Sequence, residues 1–306
     1  MYRPIDSIAV IVVLYNSAAL VPGLVESLHE GMGDVPWHLV AVDNASSDGG
    51  PEVFREVAPG ATVVETGRNA GYAAGINAGV RAAPAHTAVL VLNPDVRLAP
   101  GCARELLRAV QQPGVGIAVP RLLDSEGNLI ESLRREPTLT RAYADAFFGA
   151  SRVGRYPALG EVVTDPTAYD ADTVTDWAEG STQLISSACW AACGPWDESY
   201  FLYSEETEFD LRVRDAGFVT RYVPAAQATH LEGGSGASPG LRALMAVNRV
   251  RLFQRRNGRL RGAFYWGAVL LREVSRLAIG DQGSRPTVQA LISPARLRER
   301  PGPHTI

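Results

Sequence analysis

Two acidic segments of the sequence could bind a cation or move a proton. Asn93-Pro94-Asp95 follows directly on the apolar run Ala88–Leu92, and Glu205-Glu206 follows Ser204 at the start of a helix-like stretch. Hard cations such as Mg²⁺ take oxygen ligands, and a carboxylate can accept the proton of an attacking hydroxyl. Both segments also have a structural explanation, because Asn, Pro and Asp form turns and acids stabilise the first turn of a helix.

The acids at the start of this helix-like stretch differ in whether they have a local partner. The acids that follow it in the same helix can pair with arginines four residues later in the chain. Glu205 and Glu206 have no such local partner, and two adjacent carboxylates exceed what one helix end needs. Stabilisation of the helix end alone therefore does not explain this pair.

Polar residues also follow four strand-like runs in the first third of the chain. They are Tyr15-Asn16-Ser17, Asp43–Gly49, Gly67–Tyr72 and Asn93-Pro94-Asp95. The carboxyl ends of parallel strands meet at one edge of a sheet, so these segments predict a polar cleft that binds a nucleotide. No GxGxxG motif opens the first helix, which argues against a dinucleotide. Asp43 can accept from a nucleobase N–H or a ribose hydroxyl, or it can hold its own turn.

The elements that must position these residues alternate along the chain. Strand-like and helix-like runs of suitable length predict βαβ units and a mostly parallel, Rossmann-like α/β sheet flanked by helices. The predicted strands are Ile8–Leu14, His38–Val42, Ala61–Val64, Ala88–Leu92 and Gly116–Val119. The predicted helices between them are Ala18–Glu30, Pro51–Val57, Gly71–Ala83 and Gly101–Gln111.

The second half of the chain is less regular. Periodicity fades from Leu133 to Asp176, which predicts a long excursion such as a lid or a binding loop. Structure resumes over Ser181–Ala192, with a helix over Glu205–Ala216 and a short strand over Arg221–Pro224. We expect a catalytic domain over residues 1–240, with a nucleotide half (about 1–120) and an acceptor half (about 121–240). Residues 241–306 should form a basic helical appendage with a disordered tail.

Five segments in order give the chain a family resemblance. VVLYNS, AVDNASSDGG, GRNAGYAAGINAG, LVLNPDV and YFLYSEETEFDLRVRDAG resemble a family 2 glycosyltransferase of the GT-A fold. The pattern is most similar to the bacterial rhamnosyltransferase-like branch and covers the chain from Ile8 to Gly236. The resemblance implies inverting sugar transfer from a nucleotide-diphosphate sugar, assisted by Mg²⁺ or Mn²⁺.

The resemblance also implies roles for single residues. Asp95 should be a metal ligand, although Asn93 stands where the family's Asp-x-Asp motif has its first acid. Glu206 should be the general base, where Asp is usual, with Glu205 as the alternative. His230, followed by the glycine-rich loop Glu232–Gly236, should contact the metal or the diphosphate. The nucleotide-sugar site should comprise Tyr15, Asn16, Asp43, Asn44, Asn69, Gly71, Asn77, Asn93 and Asp95, and the acceptor side Trp177, Glu179 and Gly180.

The charge distribution suggests partners. The chain has a net charge of −4, and all 29 of its basic residues are arginine. Residues 241–300 hold 13 arginines and three acids, a balance of +10, whereas the preceding residues hold 16 arginines and 30 acids, a balance of −14. The basic segment is either a solvated helix face or a surface for anionic lipid or phosphate. The acidic body argues against nucleic acid.

The apolar runs are too short to span a bilayer, and the three cysteines form no zinc pattern. No signal peptide precedes the first strand. We therefore expect a cytoplasmic protein, with peripheral contact at the inner face of the membrane and possible homodimer formation.

The donor expected from the branch is dTDP-L-rhamnose, with UDP-sugars as the alternative. The expected acceptor is a polyprenyl-diphosphate-linked saccharide or another glycan or glycoside. Two other functions are consistent with an α/β core. A nucleotidyltransferase would need a glycine-rich basic loop where Tyr15-Asn16-Ser17 stands, and a non-catalytic sugar-nucleotide or carbohydrate-binding module would not need Glu205-Glu206.

Overall fold

The computed structural model describes residues 7–231 and 238–305 of the chain. The strands are β1 (Ile8–Leu14), β2 (Trp37–Asp43), β3 (Thr62–Glu65), β4 (Ala88–Leu92), β5 (Val96–Leu98), β6 (Val115–Leu123), β7 (Leu133–Arg134), β8 (Thr173–Thr175), β9 (Trp177–Ala178), β10 (Thr182–Ser186) and β11 (Val219–His230). The α-helices are α1 (Val21–Met32), α2 (Gly50–Val57), α3 (Tyr72–Ala82), α4 (Cys102–Val110), α5 (Leu139–Phe148), α6 (Ala150–Val153), α7 (Ser187–Cys193), α8 (Glu205–Asp215), α9 (Pro239–Asn257), α10 (Arg259–Ala278), α11 (Ser284–Ile292) and α12 (Pro294–Arg298).

One large mixed sheet forms the centre of the molecule. Its strand order is β3-β2-β1-β4-β10-β6-β11-β5, with β8 paired to β11. The first four strands of this order run parallel, as do β6 and β11, whereas β10 runs antiparallel to both of its neighbours. The predicted α/β class, with a central sheet flanked by helices, is confirmed.

The two faces of the sheet bury separate apolar cores. Every residue of β1 is buried, and alternate residues of this strand join opposite cores. One face packs on α1 and α4, and the other on α3. Helix α3 approaches the sheet closely because Gly75 and Gly79 face it. A Cβ at these positions would lie 2.7 Å and 2.5 Å from side-chain atoms of Val13 and Ile11.

The C-terminal helices form a third core together with a helix from the predicted excursion. Phe253 of α9 stacks on Tyr265 of α10 at 4.1 Å between ring centroids, and Ala142 of α5 is buried in the same cluster. The expectation of an irregular excursion over residues 133–176 therefore needs correction, since it contains α5 and α6. The expected disordered tail also needs correction, because it contains α11 and α12, with Leu291 fully buried.

Strand β11 is longer than predicted and determines where His230 lies. The sequence indicated a strand over Arg221–Pro224, but β11 continues to His230 past an irregularity between Val223 and Gln227. Its last residues pair with β5, so that His230 lies opposite Val96. The backbone N–H of Leu231 donates to the carbonyl of Asp95 at 2.9 Å. This pairing brings the two predicted metal-site residues together. In the described part of the chain, no helix is long and apolar enough to cross a membrane.

Candidate active site

The polar segments that follow the strands line one cavity of about 460 Å³. We refer to it as the donor cavity. Most of the predicted site residues lie along its wall. They are Tyr15, Asn16, Asn44, Asn69, Gly71, Asn93, Asp95, Glu179, Gly180, Glu205, Glu206 and His230. The position of this cavity agrees with the rule that ligands of open α/β sheets bind at the carboxyl ends of the strands.

Hydrogen bonds between loops give the donor cavity its shape. The Asn16 side-chain oxygen accepts from the Ser47 backbone N–H at 2.9 Å, and the Asn44 amide donates to the Gly71 carbonyl at 3.0 Å. The Tyr72 hydroxyl donates to the Asn93 side-chain oxygen at 2.6 Å. Asn16, Asn44 and Asn93, which were predicted to bind the nucleotide, therefore also hold the loops after β1, β2 and β4 in place.

Two predicted nucleotide-binding residues do not line the donor cavity. The buried carboxylate of Asp43 accepts from the backbone N–H of Ser46 at 3.1 Å, as expected for an acid that holds its own turn. The side-chain amide of Asn77 donates to the Trp196 carbonyl at 2.9 Å and accepts from the Trp196 N–H at 3.0 Å. Asn77 therefore connects α3 to the loop before α8, and its side-chain amide is hydrogen-bonded to that loop.

His230 lies between two carboxylates on the floor of the cavity. Its Nε2 is 3.2 Å from an Asp95 oxygen, and its Nδ1 is 3.0 Å from a Glu179 oxygen. Burial lowers the pKa of His230, but the carboxylates of Asp95 and Glu179 outweigh this effect and raise that pKa to about 10. The imidazole is therefore cationic at neutral pH in this arrangement.

The residues around Asp95 fit a cation site that is completed by a substrate. Within the described residues, no group of three or more His, Cys, Asp or Glu side chains is arranged to hold a metal ion. Asp95 offers one carboxylate, and His230 can offer a ring nitrogen only after losing a proton. Mg²⁺ is commonly held by one or two carboxylates together with substrate phosphates and water. The predicted diphosphate loop, Glu232–Gly236, lies outside the described residues.

A second cavity, of about 450 Å³, adjoins the first. We refer to it as the acceptor cavity. Four residues line both cavities, namely Glu179, Tyr203, Glu206 and His230. Burial raises the pKa of Glu206 to about 7, and the negative charge of Glu179 adds to this effect. A carboxylate with this pKa is suited to accept a proton near neutral pH.

Glu205 lies in a different environment from its neighbour. The residue is 1% exposed, and one of its carboxylate oxygens is buried without a hydrogen-bond partner among the residues that the structure describes. Burial, followed by the charge of Glu206, holds the pKa of Glu205 well above its usual value. Gly180 leaves room for the Glu206 side chain, since a Cβ on this glycine would lie 3.0 Å from the Glu206 Cβ.

Aromatic and basic side chains surround the acceptor cavity. Trp177 lines it with a partly buried ring, which donates through Nε1 to the Arg135 carbonyl at 3.1 Å. The Arg134 guanidinium lies 5.8 Å from the centroid of the Trp177 ring. Beneath this wall, the buried Asp210 accepts from the Ala178 N–H at 3.0 Å. Such a cavity can hold a sugar against the aromatic ring and an anionic group against the arginines.

The loop before Glu205 has an unusual backbone. Phe201, Tyr203 and Ser204 have φ angles of 66°, 68° and 75°, in the left-handed region that side chains disfavour. Ser204, the residue before α8, does not cap this helix through its side chain. Three non-glycine residues in this conformation within four positions require support from the surrounding structure.

Asn248 of α9 supplies much of that support, and sequence reasoning missed it. Its fully buried amide nitrogen lies 2.9 Å from the carbonyls of Tyr200 and Leu202 and 3.2 Å from that of Tyr203. The sequence contains only a weak signal, namely a polar residue on an otherwise apolar helix face. The C-terminal helices are therefore joined to the loop that positions Glu206.

Solved glycosyltransferases have the same fold. The mannosyltransferase PcManGT from Pyrobaculum calidifontis, in complex with GDP-Man and Mn²⁺, is similar with a TM-score of 0.55 at 17% sequence identity. The similarity covers 94% of this chain and 79% of that chain. This similarity shows that the chain has the GT-A fold, with the adjoining cavities at the carboxyl ends of its strands.

Sequence comparison gives the family. Residues 9–158 match the family model for "Glycosyl transferase family 2". An N-acetylglucosaminyl-diphospho-decaprenol L-rhamnosyltransferase from Mycobacterium tuberculosis is 28% identical over 286 residues, 87% of this chain and 92% of the relative. Rhamnosyltransferase WbbL from Escherichia coli is 26% identical over 144 residues, 46% of this chain and 51% of the relative. Residues 9–158 therefore form a glycosyltransferase family 2 domain, which confirms the resemblance drawn from the motifs.

Proposed function

We propose that this glycosyltransferase moves L-rhamnose from dTDP-L-rhamnose to a hydroxyl of a polyprenyl-diphosphate-linked saccharide, with inversion at the anomeric carbon. Rhamnose is supported by two relatives that are named as rhamnosyltransferases. The lipid-linked acceptor is supported by the decaprenol in the name of the relative from Mycobacterium tuberculosis. Arg134 and Arg141 line the acceptor cavity without an ion pair to any described residue, and they suit the diphosphate of such an acceptor.

One observation carries the proposal. Glu206 lies on the wall between the donor and acceptor cavities, and its pKa is about 7. A carboxylate in this position can reach an acceptor hydroxyl from one cavity while the sugar donor occupies the other. We propose that Glu206 accepts the hydroxyl proton as the oxygen attacks the anomeric carbon, while the bond to the diphosphate breaks on the opposite side.

Asp95, with His230 after loss of its proton, would hold Mg²⁺ or Mn²⁺ against the donor diphosphate. A bound cation of this kind would stabilise the charge of the departing nucleoside diphosphate. The loops after β1, β2 and β3 supply backbone and side-chain amides for the nucleotide, through residues such as Asn16, Asn44 and Asn69. Trp177 would stack on the acceptor sugar, and Glu179 would orient the imidazole of His230.

Glu205 is the weaker candidate for the base. Burial, followed by the charge of Glu206, holds the pKa of Glu205 well above its usual value, and this shift favours the protonated form, which does not accept a proton. It also lines only the donor cavity. We therefore assign proton transfer to Glu206 and regard Glu205 as a neutral neighbour.

The test compares Glu206→Gln with Glu205→Gln. If Glu206 is the base, its glutamine variant should transfer sugar about 10²–10⁴-fold more slowly, with donor affinity preserved in calorimetry. Glu205→Gln is the matched control, because glutamine closely resembles a protonated glutamate and should leave most of the activity. An active Glu206→Gln beside an inactive Glu205→Gln would transfer the role to Glu205.

The donor is tested in the same assay by offering UDP-sugars beside dTDP-L-rhamnose. This comparison is needed because Asp43, which was predicted to bind the nucleotide, does not line the donor cavity. A higher kcat/KM with a UDP-sugar would replace the rhamnose proposal. A non-catalytic binding module would instead bind the donor without transferring its sugar to any acceptor.

We also propose that the protein contacts the membrane peripherally through its C-terminal segment. The net charge of that segment does not by itself indicate membrane contact, because many of its arginines pair with acids. Arg249 pairs with Glu161 at 2.8 Å, and Arg256 pairs with Asp215 at 2.8 Å. A homodimer stays a prediction, which light scattering of the purified protein would check.

A further inference from the structure

Helices α5 and α10 carry an exposed apolar surface that the proposed chemistry does not use. We refer to it as the docking face, and it comprises five residues. They are Phe147 (65% exposed), Phe148 (61%), Leu260 (75%), Phe264 (55%) and Leu271 (36%). Single exposed apolar residues are ordinary, but a contiguous group of large ones indicates a contact surface.

The geometry of the two helices makes this surface continuous. Tyr143 of α5 stacks on Phe147 at 6.3 Å between ring centroids, and its hydroxyl donates to the Phe264 carbonyl of α10 at 3.1 Å. Along α10, Leu260, Phe264 and Leu271 recur at intervals of four and seven residues and therefore share one stripe. The opposite side of α10 is buried in the third core.

The charges around the docking face favour an anionic partner. The exposed charged residues of α5, α6 and α10 are all arginines, namely Arg152, Arg259 and Arg261. None of these three makes an ion pair with any residue that the structure describes. The acids of the same helices, Asp145 and Glu273, are largely buried and pair with Arg272 at 2.9 Å and 2.7 Å.

This combination fits a lipid surface better than a second copy of the chain. Aromatic and aliphatic side chains insert at the boundary between head groups and acyl chains, while arginines contact anionic head groups. Two copies that met through this face would bring their unpaired arginines together, which costs electrostatic energy. Contact by this face would be peripheral, since no described helix is suited to cross a membrane.

The docking face also adjoins the acceptor cavity. Arg141 and Asp145 of α5 and Arg272 of α10 line that cavity, so the same two helices form its wall and carry the exposed apolar residues. We propose that the docking face binds an anionic lipid surface and turns the acceptor cavity toward it. The lipid-binding part stands on this surface alone, whereas delivery of a lipid-linked acceptor to Glu206 rests on the proposed function.

The first experiment measures binding of the full chain to lipid vesicles by co-sedimentation. The wild-type protein should bind vesicles of phosphatidylglycerol and phosphatidylcholine in equal parts and bind pure phosphatidylcholine more weakly. Phe147→Ser/Phe148→Ser should reduce the partition coefficient by about tenfold or more, because it removes two insertable rings. Both side chains are exposed, so the fold should be retained, which circular dichroism checks.

Val174→Ser is the matched control, since Val174 is 59% exposed but lies on β8, away from the docking face. It should bind vesicles as the wild type does. Equal vesicle binding by wild type and the double variant would overturn the proposal. A double variant that lost only self-association in light scattering would assign the face to a second copy and would likewise overturn it.

The second experiment measures transfer to two forms of acceptor. With a polyprenyl-linked acceptor embedded in the mixed vesicles, kcat/KM of the double variant should fall about tenfold, because the enzyme is no longer concentrated at the surface. With a short-chain acceptor analogue dissolved in water, both proteins should be equally active. An equal loss on both acceptors would refute delivery from the lipid surface. Failure of the wild type on both acceptors would refute the proposed function, while the vesicle measurement would still decide lipid binding.

Discussion

Replacing Asn248 tests whether the C-terminal helices position the general base. In Asn248→Leu the carbonyls of Tyr200, Leu202 and Tyr203 lose a shared donor that now lies 2.9–3.2 Å away. An amide nitrogen has two hydrogens, so about two hydrogen bonds to these carbonyls are lost, together with the one that the Asn248 oxygen accepts from the Arg251 guanidinium at 3.0 Å. Each buried acceptor left unsatisfied costs about 1–3 kcal/mol. The Leu202 and Tyr203 contacts are partly exposed, so we expect the free energy of unfolding to fall by about 2–4 kcal/mol.

The effect on catalysis should be larger than this loss of stability suggests. The three residues with positive φ would be free to relax toward ordinary conformations, and Glu206 would move with them. A displacement of about 1 Å at a reacting group can cost about 10²-fold in rate. We expect kcat to fall by about that factor, with little change in the KM for the donor.

The assay combines steady-state kinetics with denaturant unfolding at a temperature where the variants stay folded. Leu106→Ala is the control, because Leu106 is fully buried in α4, far from the loop, and its truncation should cost about 2–5 kcal/mol. The control should lose stability and keep its kcat. An Asn248→Leu variant that is destabilised yet retains wild-type kcat would refute the positioning role.

Three further results follow from the geometry of the site. Asp95→Ala should abolish metal-dependent binding of the nucleoside diphosphate in calorimetry, and full transfer activity at saturating donor would contradict its role. Gly180→Ala places a Cβ 3.0 Å from the Glu206 Cβ. The kcat should fall about tenfold because the base is slightly displaced, while the donor affinity stays unchanged. An unaltered kcat would show that the structure around Gly180 adjusts without moving Glu206. Trp177→Ala should raise the KM for the acceptor but not for the donor, and the reverse pattern would place this ring on the donor side.

Local patterns in the sequence were sufficient for many of the strands and helices. The strand over Ala88–Leu92 was predicted with its observed bounds, because continuous apolar runs between turn-forming residues are typical of buried parallel strands. The helix that begins at Glu205 was also predicted, since its polar start and acidic first turn are local features. These features depend only on neighbouring residues.

Long-range contacts account for most of what the sequence did not predict. Helix α5 was missed because its buried face consists of small residues, Ala142 and Ala144, which give little periodicity. The family resemblance placed Asn77 in the nucleotide site. Its partner in the structure is the Trp196 backbone, which lies 119 residues later in the chain. The support that Asn248 gives to the loop before Glu205 likewise forms only once α9 has packed. No local pattern encodes these pairings.

The pH dependence of kcat/KM tests the central claim, that Glu206 is the general base, most directly. A base must be deprotonated to act, and the pKa of Glu206 is raised to about 7. The kcat/KM of the wild type should therefore fall as the pH is lowered through 7. Glu206→Gln should retain a low rate without this transition. The same transition near pH 7 in Glu206→Gln would show that another group titrates, and would contradict the assignment.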